Sequence, residues 1–209
     1  MPEAATRPRI PPLEPPYEPE IETFLKKWMP PGAPSEPLRL FRTLAVHDEL
    51  ASRMRPLGAG ILAHGRVEPR DREIVIHRTC ARAGAEYEWG VHVLAFGKPL
   101  GLSDQQIAAT VNGSAEDPAW SEHDAQLVRL ADELHERCSV SDALWAELAE
   151  RFSGEQLLEL VITAGWYRLL SYVINATGVE HEPWAARFPA ARAGDMPEPP
   201  DPTTLTPTT

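Results

Sequence analysis

Apolar positions recur at three- and four-residue intervals through the middle of this chain, and no stretch of any length alternates with period two. Helices are therefore expected over Leu38–Val46, Asp48–Ala63, Arg70–Ala83, Glu86–Phe96 and Glu122–Arg137. Local chemistry marks the starts. Pro69 suits the first position of a helix, where its missing N–H would have no intrahelical partner anyway. Ser103 with Gln106 and Ser153 with Gln156 have the spacing of capping boxes, flanked by the staple pairs Leu102/Ile107 and Phe152/Leu157. Ser141, between Val140 and Trp145, opens another helix. Leu127, Ala131, Leu134 and Cys138 are expected on one stripe. Asn112-Gly113 follows a helical pattern and reads as its C-cap. The last helix, from Ser153 to about Ala176, is apolar nearly all round. Glu159 and Arg168 interrupt its most apolar stretch, Leu157–Val179, so a central core helix or a subunit contact is expected rather than a membrane span. The fold class predicted is all-α.

Proline divides the chain. Ten of the 22 prolines lie in residues 1–36 and seven in residues 183–209. The reading is a Pro-rich arm over 1–36, a helical domain over 37–182 and a Pro-rich, largely mobile tail over 183–209. Within the arm, Tyr17, Ile21, Phe24, Leu25, Trp28 and Met29 suggest that residues 20–29 dock as a short helix. A chain of 209 residues with 43% hydrophobic content suits one such domain. Its net charge of −11 argues against nucleic acid as a partner, which would need clustered Lys and Arg. No basic-then-apolar leader opens the sequence, and an acidic balance fits a cytoplasmic protein. The two cysteines, Cys80 and Cys138, belong to no CxxC pair and read as free thiols.

The chemistry concentrates in two helices. Glu88 and His92 stand one helical turn apart on one face, and Glu73 and His77 repeat that arrangement in the helix before. If the two helices form a hairpin through Ala83-Gly84-Ala85, all four side chains can converge. Carboxylates beside imidazoles are groups for moving protons. Two Glu and two His are also acceptable metal ligands, but helical di-metal sites favour i, i+3 spacing. No metal site is assigned.

Three ordered blocks carry a family resemblance: Arg70-Asp71-Arg72-Glu73-Ile74-Val75-Ile76, Gly84-Ala85-Glu86-Tyr87-Glu88-Trp89-Gly90-Val91-His92, and Gly101-Leu102-Ser103-Asp104-Gln105-Gln106-Ile107. They resemble the carboxymuconolactone decarboxylase-like superfamily, which includes the AhpD-type alkylhydroperoxidases. The resemblance implies an AhpD-like multi-helix bundle with helices packed between subunits of a homo-oligomer (dimer, trimer or hexamer). In the peroxidase branch a CxxC pair precedes the histidine, and those positions here are Ala85 and Glu88. A peroxide cycle needs a thiolate and a resolving thiol, so that activity is not expected. The resemblance instead implies a cofactor-free lyase or isomerase acting on a small lactone or carboxylate. His92, Glu88 and Glu73 would be its catalytic groups, and Tyr87, His77, Trp89 and Arg78 would line the substrate. Arg72, Arg78 and Arg82 are the candidate anion partners. The alternative is a non-catalytic oligomeric homologue that binds a small molecule, with a buried Glu–His network.

Overall fold

The computed structural model describes residues 8–29 and 36–190, and every regular element among them is helical. In chain order these are α1 (Pro19–Trp28), α2 (Arg39–Leu44) with a 3-10 turn (Ala45–His47), α3 (Asp48–His64), α4 (Pro69–Arg82) and α5 (Glu86–His92) with a π-helical turn (Val93–Gly97). Then follow α6 (Asp104–Asn112), α7 (Glu122–Arg137), α8 (Asp142–Ala149) and α9 (Gly154–Thr177). The chain is all-α, as its hydrophobic periodicity predicts.

The serine caps form as expected. Ser103 and Ser153 each accept from the backbone three residues on and are bonded back by Gln106 and Gln156, while Ser121 and Ser141 cap α7 and α8. Each cap satisfies a donor that a first helical turn leaves open. Two expectations fail. Cys138 is exposed rather than on the α7 stripe, because α7 ends at Arg137 and Cys138 takes the left-handed cap conformation (φ 55°), its N–H bonding Leu134 O. The expected single helix over Glu86–Phe96 is α-helical only to His92, after which one wider π turn re-aims the backbone.

The bundle is built around α4, which packs most heavily on α7 and α9 and then on α5 and α6. Every residue from Asp71 to Cys80 is buried. A helix covered on all sides must satisfy its polar groups internally, and this places charged side chains inside the protein. α9 packs chiefly on α4, and its Leu157, Leu160, Ala164, Tyr167, Leu170 and Ile174 are buried in the bundle. It is the helix among the described residues long and apolar enough to cross a membrane, and half of that apolar window is buried in the bundle. Its opposite side carries exposed Leu158, Ile162, Gly165, Leu169 and Tyr172, at alternating four- and three-residue steps.

Both proline-rich ends contact the bundle. Phe24 and Leu25 of α1 are buried with Ala45 and Ala51, and the Trp28 ring packs tilted against Phe41, 5.0 Å between centroids. At the other end, the expected loose tail is packed as far as Ala190. Ala186 N–H donates to Gly90 O (3.2 Å), Phe188 stands at 5.2 Å from Trp89, and Glu86 accepts from Phe188 N–H (2.7 Å). A Cβ on Gly90 would lie 2.0 Å from Ala186 O, so only glycine admits this crossing. Residues 1–7, 30–35 and 191–209, which hold the rest of the arm and tail, lie outside the described residues.

Candidate active site

The hairpin expected between the two Glu–His helices is present. α4 ends at Arg82, Gly84 turns the chain in the left-handed region (φ 63°), and Ala85 N–H returns to Cys80 O at 2.9 Å. Glycine makes that conformation cheap. The turn lays α5 back on α4 and brings Glu73, His77, Glu88 and His92 into one group.

Glu73 is its inner pivot. His92 Nδ1–H donates to Glu73 Oε2 at 2.8 Å, which turns His92 Nε2 toward Glu88 Oε1, 3.6 Å away. His77 Nδ1 is 3.6 Å from the same Glu73 oxygen, and it donates to Glu73's backbone carbonyl at 2.6 Å. That bond fixes the His77 tautomer, because a carbonyl only accepts. His77 Nε2 and Glu73 Oε1 are then buried with no hydrogen-bond partner among the described residues. The π turn presses Gly97 against His77, where a Cβ would lie 3.0 Å from Nε2.

Depth orders the group. Glu73 and His77 are fully buried, while the side chains of His92 and Glu88 retain 5% and 8% exposure. The His92 ring sits between Phe96 and Tyr167, each 4.9 Å away, with Tyr167 edge-on. Neither flanking ring is among the residues singled out from the sequence. Tyr167 comes from α9 and has no local signal relating it to His92.

Burial and charge set the protonation states. Burial opposes a charge on His92, but Glu73, through charge and hydrogen bond, and Glu88 outweigh it and raise its pKa. Burial raises the Glu88 pKa, with Glu73 adding to the rise and His92 opposing it. His77 moves the other way: burial pushes its pKa down to about 4, and the His92 charge adds to that against the pull of Glu73. Burial, then Glu88 and Glu73, hold the Tyr167 phenol well above its ordinary range and so neutral. A carboxyl biased toward its acid form beside an imidazole biased toward its cation is a pair that can exchange protons with a bound molecule.

The other residues proposed to line the substrate use their polar atoms elsewhere. Tyr87 OH donates to Glu182 Oε1 (2.7 Å) and accepts from Leu40 N–H (3.1 Å), tying α5 to the start of α2. Trp89 Nε1–H donates to Thr110 Oγ1 (2.9 Å), and its ring stands edge-on to His77 at 6.3 Å. Arg78 makes a two-pronged contact with Asp132 (2.7 and 2.9 Å) and donates to Thr110 O and Gly113 O. The structure therefore brings Glu73, His77, Glu88 and His92 together and directs the polar ends of Tyr87, Trp89 and Arg78 away from them.

Neither thiol replaces the cysteine positions occupied by Ala85 and Glu88. Cys80 is buried on α4, and burial together with Glu88 and Glu73 raises its pKa well above the ordinary thiol range, which disfavours the reactive thiolate. Asp71, His123 and Asp124 place three possible metal-ligand atoms within 4.8 Å of one another. They already satisfy neighbours: His123 Nε2 contacts Asp71 Oδ2 at 2.7 Å, and Arg70 clamps both Asp124 oxygens at 2.7 and 3.0 Å.

Comparison with known proteins agrees with this architecture. No curated protein sequence matches the chain. A crystal structure from Agrobacterium tumefaciens, of a protein of unknown function described as a candidate antioxidant defence protein AhpD, superposes with a TM-score of 0.61 at 18% identity, covering 66% of this chain and 94% of that one. At that identity the likeness speaks to the fold. Residues 48–133, which include α3 to α6, the Glu–His hairpin and most of α7, match the model of the carboxymuconolactone decarboxylase family. Over residues 48–133, then, the chain resembles the carboxymuconolactone decarboxylase family, and its all-α fold is like that of the AhpD-like structure.

Proposed function

We propose that this chain is a cofactor-free acid–base enzyme of the decarboxylase or isomerase type, acting on a small carboxylate or lactone. One observation carries the reading: Glu73, at full depth, holds His92 Nδ1 and leaves Nε2 directed at Glu88, the member of the group nearest the surface. Such an anchored imidazole keeps its outward nitrogen aligned for proton transfer. In a decarboxylation the C–C bond to the carboxylate breaks, carbon dioxide leaves, and the electron pair stays on carbon. The His92–Glu88 pair protonates that carbon. In an isomerisation the same pair removes a proton at one carbon and returns it at another.

The reading is tested by following small lactone carboxylates by proton NMR in deuterium oxide with wild-type protein, His92→Gln and Glu88→Gln. Wild-type protein should exchange a C–H for C–D or release carbon dioxide, and both variants should lose this while keeping their helical circular dichroism. Full activity in both variants would sink the mechanism. The near-complete burial of the four side chains favours a second reading, a homologue that binds without turnover. Binding with no deuterium incorporation in the wild-type protein would select it.

We further propose a homo-oligomer built through the exposed stripe of α9, since Leu158, Ile162, Gly165, Leu169 and Tyr172 repeat with the spacing of a helix–helix seam. A cytoplasmic location and a small-molecule partner remain part of this proposal.

A further inference from the structure

Three buried arginines are described in this protein, and two are neutralised. Arg42 pairs with Glu14 at 2.6 Å, and Arg78 is clamped by Asp132. The third, Arg72, is 5% exposed and forms no ion pair among the described residues. Among the described residues its side chain makes one hydrogen bond, from Nη1 to Ile61 O (3.1 Å) near the C-terminal end of α3, and its Nε is buried without a partner. A buried charge is normally paired, since its lost hydration is otherwise uncompensated. The location makes this arrangement costlier. Arg72 lies in the first turn of α4, at the positive end of the helix dipole, where a cation is disfavoured. Its neighbour Arg70 is compensated there by Asp124. Capping the end of α3 occupies only one of the five N–H groups of Arg72.

The charge of Arg72 bears on the site. It acts on His92 and on Tyr167, lowering the pKa of each against the stronger opposing causes. Arg72 directly precedes Glu73 on α4, and the Glu73 carboxylate oxygen Oε2 is engaged by His92 rather than by Arg72.

We infer that Arg72 is the anion-binding residue of this site, its guanidinium receiving a carboxylate of the substrate beside His92 and Glu88. This rests on the acid–base reading above and adds to it the residue that holds the substrate carboxylate. Of the three arginines near the site in sequence, Arg78 and Arg82 are held by Asp132 and Glu136, so only Arg72 has its charge free for a ligand. A guanidinium is suited to the task because its planar fork matches a carboxylate with two parallel hydrogen bonds.

The test compares wild-type protein, Arg72→Met and His92→Gln by thermal unfolding and calorimetry in acetate, benzoate and glutarate, against chloride at equal ionic strength. Carboxylates should raise the wild-type Tm relative to chloride. Arg72→Met, which keeps the aliphatic stem, should lose that response, with carboxylate affinity at least about tenfold weaker, the factor for one charge-assisted hydrogen bond. Its Tm in chloride should equal or exceed that of the wild type, because an uncompensated buried charge has been removed. His92→Gln should retain the carboxylate response while losing proton transfer. A fall in the Tm of Arg72→Met in chloride would identify Arg72 as a structural cap and overturn the inference, as would a wild-type protein indifferent to all three carboxylates. Proton transfer retained in Arg72→Met would overturn the inference alone. Carboxylate binding without proton transfer in the wild type would overturn the acid–base reading alone.

Discussion

His77→Leu should change the pH dependence of stability in a defined direction. His77 is fully buried with Nε2 unpartnered, and its folded pKa lies near 4 against an ordinary value of 6.5. As pH falls from about 6.5 to about 4, the unfolded chain takes up a proton that the native ring refuses, so native stability drops. That displacement amounts to about 3 kcal/mol, at 1.36 kcal/mol per pH unit. A leucine has nothing to titrate, so the variant should escape this loss. Near neutral pH the two proteins should differ by less, because the lost bond to Glu73 O, net about 1 kcal/mol, is offset by removing a buried unsatisfied nitrogen. His92 and Glu88, both raised, run in the opposite sense. Each holds its proton more tightly in the folded state, so its contribution declines as pH rises, from above about 4.5 for Glu88 and from above about 6.5 for His92. These contributions are common to both proteins and cancel in the difference. Urea unfolding across this range measures it: the wild-type curve should fall below that of His77→Leu toward acid. Parallel curves would refute the assignment of a neutral, desolvated His77.

Glu73→Gln should lower the His92 pKa and destabilise the protein by about 1–3 kcal/mol, more below pH 6.5 than above, because the Glu73–His92 pair contributes while His92 is charged. An unmoved His92 titration by NMR would contradict this. Gly90→Ala should displace the segment around Ala186, whose carbonyl would stand 2.0 Å from the new Cβ, at a cost of about 1–3 kcal/mol. Faster tryptic cleavage after Arg187 reads this out, and an unchanged rate would count against the crossing. Leu169→Glu places a charge in the exposed stripe of α9 and should shift sedimentation toward the single protomer with helicity intact. Sedimentation equal to wild type would remove α9 from the interface.

Much of this protein was legible in the chain itself, for a common reason: the legible features are local. Capping boxes at Ser103 and Ser153 depend on residues three apart, and the Glu73/His77 and Glu88/His92 pairs depend on one helical turn. Helical periodicity likewise sets the fold class without knowledge of which helix meets which. The sequence by itself therefore determined an all-α chain with two Glu–His pairs on adjacent helices and no redox cysteine pair between them.

Partner choice across helices was decided only by tertiary structure. Nothing in the spacing says that Glu73 bonds His92 more closely than its own-turn neighbour His77, or that Tyr167, on α9, stands over the same ring. Three nearby arginines looked equivalent along the chain, yet α7 supplies Asp132 and Glu136 to Arg78 and Arg82 and no carboxylate to Arg72. The physical reason is that charge and hydrogen-bond partners are assigned by which faces the packed core brings together. A buried polar atom left without a partner is visible only once that packing is complete.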